Sequence, residues 1–221
     1  MSTSTSVVRA VGLGEIDGNS HPVHPATVHY PVAFLSTAYA LDTLYGLATS
    51  PRFSSSFQRL TPHLAQISRV SHYSNIAGIL TALPSAATGT VELWYMLKGN
   101  GIWERITKES DGKEVYSGMN PKARHGIAHG LLNNAALGIS LYNWWTRRKR
   151  PDYLPKRANI VLSAIALPGL AFSAYLGGAL IYKYGVGVMR MGEAAQIKQD
   201  LARDEVKSRE GWTVHKVRTG Q

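Results

Sequence analysis

The stretch His21-Pro22-Val23-His24-Pro25-Ala26-Thr27-Val28-His29-Tyr30-Pro31 opens the first long apolar segment and orients the chain that follows. It holds three histidines and three prolines. Proline fixes φ and lacks an N–H, so the stretch predicts a stiff, non-helical entry. Histidine is the commonest metal ligand and titrates near neutral pH. What the protein can do therefore depends on which groups contact these imidazoles.

Four segments beyond this stretch are poor in charge and have about the 20-residue apolar length that a bilayer core requires. They run over about 26–48, 70–97, 125–145 and 158–182. Pro84 predicts a kink that neighbouring helices can tolerate in a membrane. We therefore predict an all-α protein, an antiparallel bundle of four transmembrane helices with both termini on one side. A soluble four-helix bundle is the alternative, because the first and third segments are only moderately apolar.

The charged residues collect between these segments, and the formal net charge is +10. The run Arg147–Arg150 follows Trp144 and Trp145 after one intervening residue, an order typical of a membrane interface. A nuclear-localisation run is the competing interpretation. Basic connections at 51–70 and 146–158 favour a membrane protein with cytosolic loops over a nucleic-acid-binding protein.

Both ends of the chain are polar. Residues 1–20 predict a disordered lead without the pattern of a secretory signal, and residues 189–221 predict a charged tail. The sequence has no cysteine, which excludes disulfides, thiolate metal sites and a cysteine nucleophile. No glycine pair has the strand and helix context of a phosphate-binding loop. We expect no independent enzymatic activity.

Antiparallel threading brings the starts of the first and third segments to the same end of the bundle. His125 and His129 lie four residues apart on one helix face, which Asn133 continues. Because polar stripes on apolar helices face the bundle interior, we predict that His29 and His129 face each other. Two imidazoles from different helices are a ligand set for haem b. The prediction is an electron-transfer or redox-sensing module with an unknown membrane redox partner, and His125 and Asn133 complete its cofactor site.

Two alternatives to haem stay open. One is a zinc or copper site, since histidine nitrogens and a carboxylate suit these metals. Its candidate ligands are His21, His24, His125 and Glu92. The other is a non-catalytic membrane protein in which the polar groups only hydrogen-bond across helices and stabilise the bundle.

Small residues in the fourth segment predict a helix contact. Gly169, Ser173 and Gly177 repeat at four-residue spacing, which lets membrane helices approach closely. We predict that an oligomer forms through them.

The motif His21-Pro-x-His24-Pro-x-x-x-His29-Tyr-Pro31 resembles the opening of the membrane proteins grouped as domain of unknown function 2231. The similarity covers about residues 21–188. It continues through Asp42, Thr88-Gly89-x-x-Glu92, His125 or His129 with Asn133, and Gly177-Gly178-Ala-Leu-Ile-Tyr182-x-x-Gly185-x-Gly187-Val188. The resemblance implies a four-helix integral membrane protein with a redox link, because some relatives carry fused electron-transfer domains. Ala179 stands where many relatives have an acidic residue, which weakens any metal site using that position.

Overall fold

The computed structural model describes residues 3–13, 15–16, 19–20, 23–107 and 114–186. Within these residues the α-helices are α1 (Thr3–Leu13), α2 (Val23–Thr27), α3 (His29–Thr49), α4 (Leu64–Asn100), α5 (Pro121–Arg147) and α6 (Arg157–Tyr182). Short 3₁₀ helices span Ser54–His63 and Pro151–Tyr153. Two antiparallel hairpins pair β1 (Glu15–Ile16) with β2 (Asn19–Ser20), and β3 (Trp103–Thr107) with β4 (Glu114–Met119).

Four long helices, α3 to α6, form the main body. α3 packs against α4 and α6, and α5 packs against the same two helices. The four helices correspond to the four apolar segments of the sequence, and α4 and α5 extend a few residues beyond the predicted bounds at both ends. The protein is therefore mainly helical, as predicted.

Two helical stretches among the described residues are long and apolar enough to cross a membrane. They are Ser54–Asn100, with a mean hydropathy of 1.3, and Pro151–Tyr182, with 1.8. The helices α3 and α5 do not meet this criterion of length and hydropathy. Tyrosines, threonines and Asp42 lower the hydropathy of α3, and histidines and asparagines lower that of α5. By length and composition, two of the four predicted spans are supported.

The helical body is polar inside and apolar outside. Large apolar side chains are exposed on every long helix, as at Phe34, Leu80, Leu131 and Phe172. A helix in a water-soluble protein places its apolar stripe inward and its polar face outward. The largest fully buried side chains are instead mostly polar: Arg147, Tyr39, Asn75, Asn143, Asn159 and Asp42.

The body has two ends, which we call the loop end and the terminal end. The loop end carries the connections 50–63 and 148–156. The terminal end carries α1, α2 and the β3–β4 hairpin. α1 packs on α4, where a Cβ added at Gly12 would lie 2.6 Å from a methyl carbon of Val91. The structure therefore differs from the predicted disordered lead, because α1 buries Leu13 in that contact; the predicted tail at 189–221 lies outside the described residues.

Over residues 23–31 the opening stretch is helical apart from a turn at Val28. Pro25 is the third residue of α2, and Pro31 is the third residue of α3. Proline is tolerated in the first turn of a helix, where the N–H it lacks has no intrahelical acceptor. The prediction of a non-helical entry is wrong for this reason, and the short helix α2 sets where His24 lies.

Candidate functional site

Two histidines from distant parts of the chain meet at the terminal end. The ring centroids of His24, in α2, and His129, in α5, lie 6.2 Å apart, and the ring planes are inclined by 78°. Both side chains are partly buried. We call these two residues the histidine pair.

Each ring of the histidine pair is oriented by a backbone carbonyl of a neighbouring helix. His24 Nδ1 lies 2.9 Å from the Ser85 carbonyl oxygen of α4, and His129 Nδ1 lies 2.8 Å from the Ser173 carbonyl oxygen of α6. A carbonyl oxygen only accepts, so these contacts place the proton of a neutral ring on Nδ1 and the lone pair on Nε2. Metal-binding histidines are commonly oriented in this way.

Two glycines make room for the rings. A Cβ added at Gly89 of α4 would lie 2.6 Å from the His24 ring, and one at Gly177 of α6 would lie 2.9 Å from the His129 ring. The neighbouring Gly178 has no such neighbour within 4 Å. A larger residue at Gly89 or Gly177 would therefore displace a histidine.

The environment favours neutral imidazoles. Burial lowers the pKa of His24 below its ordinary value; the hydrogen bond to the Ser85 carbonyl opposes this, and His129 nearby lowers it further. Asn133, one turn from His129 in α5, donates to His129 Nε2 at 3.1 Å and to the His129 carbonyl at 2.9 Å. The predicted residue Asn133 therefore contacts the histidine pair.

The other histidine predicted as a ligand in α3 lies elsewhere. His29 is exposed at the start of α3, where its Nδ1 lies 3.4 Å from the Ala26 carbonyl oxygen. The prediction that His29 faces His129 is wrong, because the turn of α2 brings His24 to that position instead. His125 lies one turn from His129; its Nδ1 is 2.7 Å from the Pro121 carbonyl oxygen and its ring centroid is 5.1 Å from that of Tyr184.

The predicted zinc or copper site is not assembled in the part of the chain that the structure describes. No group of three or more His, Asp or Glu side chains there could hold a metal ion. His24, His125 and Glu92 thus share the terminal end without converging on one point, and His21 lies outside the described residues. Threading predicts the end of a bundle at which a residue lies, but not its direction around the helix.

The predicted oligomer contact faces the interior at two of its three positions. Ser173 is buried and its hydroxyl donates to the His129 carbonyl at 3.3 Å, while Gly177 packs on the His129 ring. Gly169 alone of the three has open space around it. The two inward positions make room for the His129 ring, and the oligomer itself stays a prediction.

A second buried cluster lies at the loop end. Arg147 Nη1 donates to Asp42 Oδ1 at 2.8 Å and to Asp42 Oδ2 at 2.9 Å. The hydroxyls of Ser71 and Ser163 also donate to Asp42, at 2.5 and 2.9 Å. Asp42, Ser71, Arg147 and Ser163 come from α3, α4, α5 and α6 in turn, and we call this group the ion-pair cluster. It joins all four long helices.

The loop after α5 completes the hydrogen bonds of Arg147. Its Nε donates to the Tyr153 carbonyl at 2.7 Å, and its Nη2 donates to the Ser68 carbonyl at 3.1 Å. The Tyr153 ring stacks on His72 with centroids 4.0 Å apart. Asp152 and Tyr153 have φ values of 50° and 53°, which non-glycine residues seldom adopt. These contacts hold the strained loop against α4.

Sequence reasoning missed the ion-pair cluster, although a signal was present. Arg147 was assigned to the interfacial basic run with its neighbours. Asp42 is the only formal charge in the first segment, and threading brings it to the end where the third segment reaches Arg147. A lone carboxylate in a membrane segment calls for a cationic partner, and Arg147 is the nearest by that threading.

The polar interior, the apolar exterior and two helices able to cross a membrane are the features of a helical membrane protein. The chain belongs to the DUF2231 family of predicted membrane proteins, whose profile matches residues 20–190. The match includes the histidine pair and the ion-pair cluster, and it confirms the resemblance found in the sequence. Comparisons with curated proteins and with solved structures found no match.

Proposed function

We propose that the protein spans the membrane four times, through α3 to α6, and that His24 and His129 bind the iron of haem b for electron transfer or redox sensing. The observation that carries the proposal is the histidine pair. Its two rings are oriented by backbone carbonyls and lie inside a helical body with an apolar exterior.

The outer surface of α3 and α5 supports four spans. These helices have 21 and 27 residues, which at 1.5 Å per residue makes each about 30 Å long or more, the thickness of the hydrocarbon core. Phe34 on α3 and Leu131 and Leu141 on α5 are exposed. The polar residues that lower the hydropathy of these helices, such as Asp42 and Asn143, are buried and bonded to other helices.

The spacing of the histidine pair suits one metal centre. An imidazole nitrogen binds a transition metal at about 2.0–2.1 Å, so two rings that hold one ion would have to lie within a few ångströms of it. The observed separation is 6.2 Å. The Nδ1 contacts leave the Nε2 lone pair of His24 available to iron, whereas that of His129 accepts from Asn133 and would have to be released from it. Gly89 and Gly177 let the two rings pack directly against α4 and α6.

The chain's own residues have defined parts in this proposal. When bound, haem supplies one-electron chemistry, and the axial ligands set its potential. The Ser85 and Ser173 carbonyls fix the tautomer and direction of the two ligands. Asn133, which donates to His129 Nε2, competes for that lone pair and so tunes the strength of ligation.

A structural histidine pair is the second candidate, and one observation favours it. The same Nδ1 contacts connect α2 to α4 and α5 to α6, which stabilises the body without any cofactor. In that case the rings bind no metal and the protein acts through its surfaces.

Absorption spectroscopy separates the two candidates. The full chain is expressed with a haem precursor, purified from membranes in detergent, and measured oxidised and reduced. We expect a Soret band and sharp α and β bands on reduction, which His24→Ala and His129→Ala each abolish. His29→Ala, at the exposed histidine, is the matched control and keeps the spectrum. A colourless wild-type protein, or bands that survive in both alanine variants, would overturn haem binding. Metal analysis of the same samples detects copper or zinc held by the pair instead.

The number of spans has its own test. Four spans keep the protein in the membrane after alkaline carbonate washing and place tags at the two termini on the same side. Extraction by carbonate, or tags accessible from opposite sides, would contradict the arrangement.

A further inference from the structure

We propose that the loop end binds the headgroups of anionic phospholipids in the leaflet that it faces. The inference rests on the four-span arrangement proposed above and is independent of haem. It follows from the charge of this surface, from the way one arginine is held on it, and from its place beside the apolar exterior.

Exposed and half-buried cations without acidic partners surround the loop end. Between residues 43 and 91 the sequence has no acidic residue, and between 147 and 157 it has only Asp152. Asp152 pairs with Arg69 at 2.5 Å, and the carboxylate of Asp42 is buried against Arg147. The remaining basic side chains have no carboxylate of the described residues within ion-pair distance: Arg52, Arg59, Arg148, Lys149, Arg150, Lys156 and Arg157.

Arg148 is positioned as a phosphate ligand. Its guanidinium carbon lies 3.3 Å from the ring centroid of Trp145 and 5.5 Å from that of Trp144. A guanidinium held on aromatic faces keeps its planar N–H edge available for bidentate contact with a phosphate. Trp145 is 59% exposed, and tryptophan is enriched at the depth of lipid headgroups.

The cations adjoin the apolar exterior directly. Arg148 and Lys149 follow the last residue of α5, and Leu141, Tyr142 and Trp145 are exposed on the final turns of that helix. A phospholipid whose acyl chains lie along α5 brings its phosphate to this height. A nucleic acid or a soluble acidic protein would make no use of that apolar surface, so the lipid is the occupant that fits both parts.

Arg147 and Arg148 show that the basic run serves two purposes. Arg147 points inward and is neutralised by Asp42. Arg148, one residue further, is directed to the other side of the helix and stacks on Trp145. In the basic run, the first cation that is available to lipids is therefore Arg148.

Native mass spectrometry of the full chain tests the proposal. The protein is purified in neutral detergent and incubated with phosphatidylglycerol, with phosphatidylcholine of the same acyl chains, or with inorganic phosphate. We expect phosphatidylglycerol to be retained and to raise the Tm, and neither of the other two probes to do so. Each removed cation lowers the affinity by about fivefold, the equivalent of about 1 kcal/mol per residue near an anionic surface.

A matched pair of triple variants locates the effect. Arg148→Gln, Lys149→Gln and Arg157→Gln together remove three cations from the loop end, and we expect retention of phosphatidylglycerol to fall at least tenfold. Lys98→Gln, Arg124→Gln and Lys183→Gln remove three cations from the terminal end, and we expect retention to persist. Arg148→Lys keeps the charge but loses the planar stack, so we expect an intermediate affinity for phosphatidylglycerol. This variant tests the proposal even if the triple variant folds poorly.

Three results would overturn the proposal. They are equal retention of both lipids by the wild type, equal loss in the two triple variants, and a Tm shift that phosphate alone reproduces. The three substituted loop-end residues lie at the opposite end of the body from His24 and His129, so a colourless protein leaves this test unaffected. Extraction by carbonate would identify failure of the four-span arrangement instead.

Discussion

The histidine pair and the ion-pair cluster are both buried and polar, but they differ in what they leave unused. In the ion-pair cluster the guanidinium of Arg147 and the carboxylate of Asp42 meet each other and hydroxyls or carbonyls from neighbouring elements. In the histidine pair each ring uses Nδ1 for a neighbouring helix; His129 Nε2 accepts from Asn133 of its own helix, and the Nε2 lone pair of His24 has no partner among the described residues. The charged atoms of the ion-pair cluster are thus bonded to internal partners, whereas the histidine pair keeps a nitrogen that can bind a ligand.

This difference predicts a structural role for the ion-pair cluster and a ligand-binding role for the histidine pair. A buried charge without a partner is costly, so the ion-pair cluster fixes how the four helices meet at the loop end. Neutral imidazoles carry a smaller desolvation cost and are the usual ligands of metals. We therefore expect substitutions in the ion-pair cluster to affect folding most, and substitutions around the histidine pair to affect ligand binding as well.

The largest effect is expected from breaking the ion pair. Asp42→Asn leaves Arg147 buried without a carboxylate, which costs about 3–5 kcal/mol. Reversible unfolding in mixed detergent measures the loss, and Lys149→Gln, which removes an exposed cation two residues away, should change stability by less than 1 kcal/mol. The double variant Asp42→Leu/Arg147→Met should recover part of the loss, because neither charge then remains. Equal stability of Asp42→Asn and the wild type would show that the cluster is not structural.

A smaller effect is expected from filling the space beside His129. Gly177→Ala places a Cβ within 2.9 Å of the ring, and such overpacking costs about 1–3 kcal/mol. It should also weaken any ligand of the histidine pair, seen as loss of the reduced absorption bands. Gly178→Ala is the matched control, since its Cβ enters open space and gains up to about 1 kcal/mol of helix propensity. A Gly177→Ala protein with the stability and ligand content of Gly178→Ala would contradict the close packing.

The layer between the two regions gives the next effect. Tyr39 in α3 donates to the Ala136 carbonyl at 2.7 Å and lies 2.6 Å from Ser140 Oγ, within an apolar layer that includes Leu35 and Leu170. Tyr39→Phe removes both contacts, and interhelical hydrogen bonds in membranes are worth about 0.6 kcal/mol, with a maximum near 1.7. The unfolding assay should show a loss in that range, while Tyr175→Phe, at an exposed tyrosine, should show none. A loss above 3 kcal/mol would mean that the two regions are coupled through Tyr39.

The smallest effect is expected from pH. The pKa of His24 is lowered in the folded protein, so the unfolded chain binds more protons below its ordinary pKa of about 6.5. Stability should be full above that pH and should fall as pH decreases through it toward the folded pKa. His129 of α5 is the titratable group beside the ring. We expect His24→Phe to flatten this part of the pH profile relative to the wild type; His29→Phe should retain the slope. A wild-type profile without a decline below about pH 6 would contradict burial of a neutral His24.

The sequence predicted the helices well because their signal is local. Charge-free runs and their boundaries at Ser50-Pro51 and the Arg147–Arg150 run mark the four helices within a few residues. The family resemblance follows from motifs that lie within those helices or next to them. Both depend on residues close together in the chain, so neither requires knowledge of how the helices are rotated.

The contacts between helices were less accessible to sequence reasoning. The prediction paired His29 with His129, and a short helix over 23–27 makes His24 the partner instead. Small residues at Ser173 and Gly177 were assigned to an outer surface because spacing alone does not distinguish the two sides of a helix. Both errors concern rotation about a helix axis, which is set by packing against helices far away in the sequence.

The separation of Asp42 and Arg147 in the chain has a consequence for synthesis. The two residues are 105 positions apart, and a ribosome adding about 5–20 residues per second completes that interval in about 5–20 s. During this time the first helical hairpin carries a carboxylate whose partner has not yet been made. The ion-pair cluster therefore forms only after α5 has been made, which ends that period.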